Sequence, residues 1–168
     1  MKRQNVFRKL VVCSLLAAAL ITGCGKSSYK TAPFTTLDWD ATLDDVMALE
    51  GEDYEEDASY LGHAYDYPKT YNDVDGTIRY VISEDDGTLK SVSWTYEAPE
   101  GSDISEMFIT LHDELEDELG ESGEYTEDAT TCTDIWRREA GNITIISIIS
   151  TDYNALMLSY LSPDSSTN

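Results

Sequence analysis

The sequence predicts an α+β fold, one antiparallel sheet with two helices packed on one of its faces. Three observations lead there. Apolar residues recur at helical spacing after Thr42 and again from Ile104 to Leu119. Shorter stretches between and beyond them alternate apolar and polar residues, the period of a half-buried strand. Finally, residues 34–97 and 99–162 show the same order, a helix and then three strands, with Gly51 and Gly120 ending the helices and Gly76 and Gly141 in turns. A tandem αβββ repeat is therefore expected, forming a single domain over 34–162.

The chain of 168 residues opens on a segment that does not belong to that domain. Residues 1–23 read as a signal peptide. Lys2, Arg3, Arg8 and Lys9 make a basic flank, and an apolar run follows from Leu10 to Ile21. The flank holds the terminus at the cytoplasmic face. The run is shorter than the ~20 residues a stable spanning helix needs, which suits a removable signal. Ile21-Thr22-Gly23-Cys24 then resembles the lipobox of bacterial lipoproteins. That resemblance implies cleavage between Gly23 and Cys24 and a diacylglyceryl group, with palmitate-type acyl chains, on the Cys24 sulfur. It implies a protein lipid-anchored at the extracytoplasmic face of the cell membrane, since two or more chains give stable anchoring. Residues 24–33 are polar and read as the lipidated tether.

Within the domain, Thr42 is the N-cap of the first helix, with Asp45 three residues on as its capping-box partner. Leu43, Val46 and Met47 make its apolar side, and Gly51 stops it. Residues 52–57 read as an acidic loop, and 58–67 as a strand with Leu61, His63, Tyr65 and Tyr67 on one face. Thr77–Ser83 and Leu89–Tyr96 are strands joined through an Asp86-Gly87 turn. Ser102 or Asp103 caps the second helix, with Asp103 and Glu106 spaced as a capping box. Ile104, Phe108, Leu111, Leu115 and Leu119 form its stripe. Five carboxylates from Asp113 to Glu118 crowd its negative end, a conflict that packing or a bound cation must offset. Strands over Thr131–Arg138, Asn142–Ser150 and Ala155–Leu161 follow. The second of these is the most apolar, which places it centrally. Residues 163–168 read as a disordered tail.

Charge and chemistry narrow the function. Four of the 11 basic residues and none of the 33 acidic ones precede Cys24, so the mature chain carries 7 − 33 = −26 charges. That excludes nucleic acid as a partner and points to solubility or to a basic protein partner. Of three cysteines, Cys13 lies in the signal and Cys24 takes lipid, so Cys132 has no disulfide partner and reads as a small buried residue. His63 and His112 have no zinc-ligand spacing, and no nucleophile-elbow sequence is present. No catalytic residue, metal or cofactor is therefore expected. Asn72-Asp73-Val74-Asp75-Gly76 echoes an EF-hand loop, but its register puts Tyr71 and Ile82 at ligand positions, so an Asp-Gly turn fits better. Tyr60, Tyr65, Tyr67, Tyr71 and Tyr96 are the candidate binding face, on the side of the sheet away from the helices. Trp39, Trp94 and Trp136 are assigned to the core.

The element order resembles the tandem arrangement of β-lactamase-inhibitor-protein-like domains and of uncharacterised small surface lipoproteins of Gram-positive gut bacteria. The expected function is a membrane-anchored, non-catalytic binding or assembly module. The alternatives are an inhibitor or enzyme acting on envelope hydrolases or polymers, and a solute- or cation-binding lipoprotein. A pocket of converging polar groups would favour the enzyme, and an exposed patch the binding module.

Overall fold

The computed structural model describes residues 31–165. The signal, Gly23 and Cys24 of the lipobox, and the tether up to residue 30 lie outside the described residues, as do 166–168. The elements are α1 (Leu43–Glu50), β1 (Glu55–Ser59), β2 (Gly62–Tyr71), β3 (Val74–Ile82), β4 (Leu89–Ala98), α2 (Ser105–Leu119), β5 (Glu124–Glu127), β6 (Thr131–Trp136), β7 (Ile143–Ile149) and β8 (Asn154–Leu161). All eight strands form one antiparallel sheet in the order β1-β2-β3-β4-β8-β7-β6-β5. The fold is α+β, as expected.

Each half carries four strands rather than three, so the units are not αβββ. The additional strands, β1 and β5, are the two sheet edges. β1 begins Glu55-Glu56-Asp57 inside the expected acidic loop, and β5 is Glu124-Tyr125-Thr126-Glu127. Neither buries a side chain, so neither shows alternation. Their charges protect open edges from pairing with other chains. The expected strand over 58–67 is in fact the end of β1, a turn through Tyr60 and Leu61, and the start of β2. β7 lies one strand from the central pair β4 and β8.

Both helices cover one face of the sheet. Val46 of α1 and Phe108, Leu111 and Leu115 of α2 share a core with Tyr65, Tyr67, Ile78, Tyr80, Trp94, Trp136, Ile145, Leu156 and Leu158. The segment before α1 joins that layer. Ala32 is fully buried, Phe34 packs edge-on against Tyr71 and Tyr160, and the Leu89 N–H donates to Ala41 O. Thr31 and Ala32, expected in the tether, thus pack with the domain. At the other end, Pro163–Ser165 form a 3-10 turn held by Ser162 rather than a disordered tail.

Local chemistry explains the boundaries. The Asp45 carboxylate accepts the N–H and the hydroxyl of Thr42 at 2.9 and 2.8 Å, which holds its pKa below the ordinary value. Asp103 accepts the Ser105 N–H at 2.9 Å. At the far end of α2, Gly120 adopts φ 84° and its carbonyl accepts the Trp136 indole N–H at 2.8 Å. That bond meets one of the orphan carbonyls of a helix end without a basic residue. The β2–β3 hairpin turns at Asn72 and Asp73, both at positive φ, not at Asp75-Gly76. Gly76 is instead a packing site, where a Cβ would lie 2.7 Å from Trp94 Nε1.

The loop between β3 and β4 supplies a pH-dependent contribution. Asp86 contacts Lys90 Nζ at 2.6 Å and accepts the Thr88 N–H and hydroxyl at 3.0 and 2.8 Å. The Lys90 contact, then those to Thr88, hold its carboxyl far below the ordinary carboxylate range. A lowered folded pKa stabilises above the unfolded value, about 3.9, and that contribution is lost as pH falls through the folded pKa. Thermal melts should therefore show Asp86→Asn melting below wild type at pH 7, with the gap closing as pH falls below about 4.

Candidate binding face

Strand alternation separates two sets of side chains. On β3, Ile78, Tyr80 and Ile82 point into the helix layer, and Asp75, Thr77 and Arg79 point to the opposite face. On β4 the outward set is Ser91, Ser93, Thr95 and Glu97, and on β7 it includes Ile146 and Ile148. Among the described residues no helix covers this face. Its centre is a trough of about 640 Å³.

The trough is polarised along the sheet. Glu55, Asp66, Asp75 and Glu97 lie towards the β1–β4 half, against one cation, Arg79, a balance of three negative charges. Arg79 is held by a bidentate pair with Asp66, at 2.7 and 2.6 Å, and this hydrogen bonding raises its pKa. Small hydroxyls, Thr77, Ser93 and Thr95, make the floor. The other half is apolar, with Ile146, Ile148, Ala155 and Met157. Tyr153 forms a wall, its hydroxyl donating to Glu97 at 3.3 Å. Burial, then the Glu97 charge, raises its pKa. No histidine or cysteine lines the trough, whose titratable groups are the four carboxylates, Arg79 and Tyr153.

The expected tyrosine face is not formed. Tyr65 and Tyr67 are 7% and 3% exposed and sit in the core with Tyr54. Tyr71 and Tyr96 flank Trp94 on the helix side at ring distances of 5.5 and 6.5 Å. Tyr60 alone of the five is open, at 87%, in the β1–β2 turn. The parity that puts Tyr65 and Tyr67 on one face is right; the helices cover that face. Trp94 and Trp136 are core residues, as expected, and Trp39 packs against the core.

The signal that could have located the trough is β7. Its run Ile143-Thr144-Ile145-Ile146-Ser147-Ile148-Ile149 puts apolar side chains on both faces. Only one face is covered, so Ile146 and Ile148 are apolar where water would favour polar groups. His63 lies apart, 3.0 Å from both Glu56 and Glu84. Cys132 is partly buried and donates to the Tyr125 hydroxyl at 3.2 Å.

Among the described residues no helix is long and apolar enough to cross a membrane. No protein-family model, curated protein or solved structure matches this chain.

Proposed function

We propose that this chain is a bacterial lipoprotein, held at the outer face of the cell membrane by lipid on Cys24, whose domain is a non-catalytic binding module for a basic protein. The observation that carries the binding reading is the uncovered trough, acidic on one side and apolar on the other. A partner presenting Lys or Arg beside an apolar side chain would complement both halves, steered by the mature chain's net charge of 7 − 33 = −26. Thr31 lies with Trp39, Leu119 and Tyr160 on the helix side of the sheet. A tether entering there leaves the trough unobstructed. The lipid reading rests on the order and spacing of residues 1–24.

A photo-crosslinking residue at Thr95, in intact cells, should capture one basic protein, and the same residue at the exposed Ile109 of α2 should not. Asp75→Lys with Glu97→Lys should weaken capture at least tenfold, about 1.4 kcal/mol. Equal capture from both positions, or capture indifferent to the charge reversal, refutes the face. Intact mass of the membrane form should give a chain beginning at a diacylglyceryl Cys24. An uncut chain or a bare thiol there refutes the anchor.

A further inference from the structure

We propose that His112, Asp113 and Glu116 form a binding site for a divalent metal ion of the Zn²⁺ class, with the buried Asp134 positioning the imidazole. The last two turns of α2 carry many carboxylates, and by themselves these would be a solvated face. What distinguishes His112 is what lies behind it. Its Nε2 is 2.8 Å from Asp134 Oδ2, and the Asp134 side chain is 1% exposed. The other oxygen, Oδ1, accepts the Ile135 N–H at 2.9 Å. The carboxylate is an acceptor on both sides, so the imidazole proton is assigned to Nε2. The Phe108 and Trp136 rings, at 6.1 and 5.7 Å, limit rotation of the imidazole.

In the singly protonated ring the lone pair is thereby on Nδ1, 3.4 Å from Asp113 Oδ1. Two acceptors facing each other repel unless a proton or a metal cation lies between them. Tetrahedral ligands about 2.0–2.1 Å from Zn²⁺ stand roughly 3.3–3.4 Å apart, which is the separation found. Donor atoms of His112, Asp113 and Glu116 all lie within 4.8 Å of one another. His112 and Glu116, one helical turn apart, face the same way. A carboxylate on the far nitrogen of a metal-binding histidine fixes its tautomer and raises its basicity. One imidazole with two carboxylates favours Zn²⁺ and its first-row neighbours over Ca²⁺ or Mg²⁺. The fourth position would face solvent.

The test is Zn²⁺ titration of the full chain, purified in detergent, by calorimetry and by ¹⁵N NMR of the histidine rings. One equivalent should bind, with the Nδ1 resonance of His112 shifted and Nε2 still protonated. His112→Ala should weaken binding at least about 100-fold. Asp113→Asn and Glu116→Gln, on exposed side chains, should each weaken it at least about tenfold. Asp134→Asn should weaken it roughly 10–100-fold and mix the two tautomers in the metal-free ring. His63→Ala should change nothing. Absence of saturable binding at 1 mM Zn²⁺, or binding that His112→Ala leaves intact, overturns the proposal. Should Asp134→Asn fail to fold, the two surface variants decide.

Discussion

Trp94→Ala is expected to lower the unfolding free energy by about 3–5 kcal/mol. Trp94 is 1% exposed and sits at the centre of β4, one of the central strand pair. Its indole meets Tyr71 edge-on and stacks on Tyr96. Its N–H donates to Lys69 O at 3.0 Å. It also lines a cavity of about 280 Å³ with Tyr71, Met107 and Leu111. Truncation would enlarge that space, and Gly76 has no side chain to fill it. Trp94→Phe keeps most of the volume and loses the hydrogen bond, so a smaller loss of about 1–2 kcal/mol is expected. Urea unfolding followed by far-UV circular dichroism measures both. A loss below 1 kcal/mol for the alanine variant would mean that the sheet collapses onto the gap.

The second large effect lies under α1. Glu50 is the last residue of that helix, and its side chain is 10% exposed. Lys69 Nζ reaches its Oε1 at 2.8 Å, and the Tyr80 hydroxyl donates to the same atom at 2.7 Å. Burial pushes the Tyr80 pKa well up, so it stays a donor. Lys69→Ala removes the only formal charge facing that carboxylate in this cluster. Because the Lys69 side chain is about one quarter exposed, the expected loss is near the lower end for breaking a buried pair, about 3 kcal/mol. Glu50→Gln combined with Lys69→Met removes both charges and should lie within about 1 kcal/mol of wild type. A double variant no better than Lys69→Ala would show that packing of the lysine stem, and not the stranded carboxylate, sets the cost.

The readable parts of this chain were those with local causes. The stripe Phe108, Leu111 and Leu115 predicts α2, and Thr42 with Asp45 predicts the start of α1, because both signals lie within one or two helical turns. The edges β1 and β5 were illegible because strands that bury nothing carry no alternation. The turn at Asn72-Asp73 was misplaced by one glycine, since Gly76 is demanded by Trp94 and not by the turn. The two assignments that matter most for function were non-local. Parity put Tyr65 and Tyr67 on one face, but a strand does not record which of its faces the helices will cover. Asp113 and Glu116 are local to His112, but the buried carboxylate of Asp134 that stands behind its ring arrives from β6, 22 residues on.

The sequence by itself determined the α+β class, the strong negative charge, the main helix and most strands, together with the expectation of a lipid-bearing Cys24. These follow from periodicity, composition and short spacings, which neighbouring residues set among themselves. Only the tertiary structure decided that the tyrosines are core, that an acidic and apolar trough lies open across the sheet, and that a buried carboxylate stands behind His112. Each depends on which surfaces meet when distant segments pack, and burial is a property of the partner surface as much as of the strand or helix that presents it.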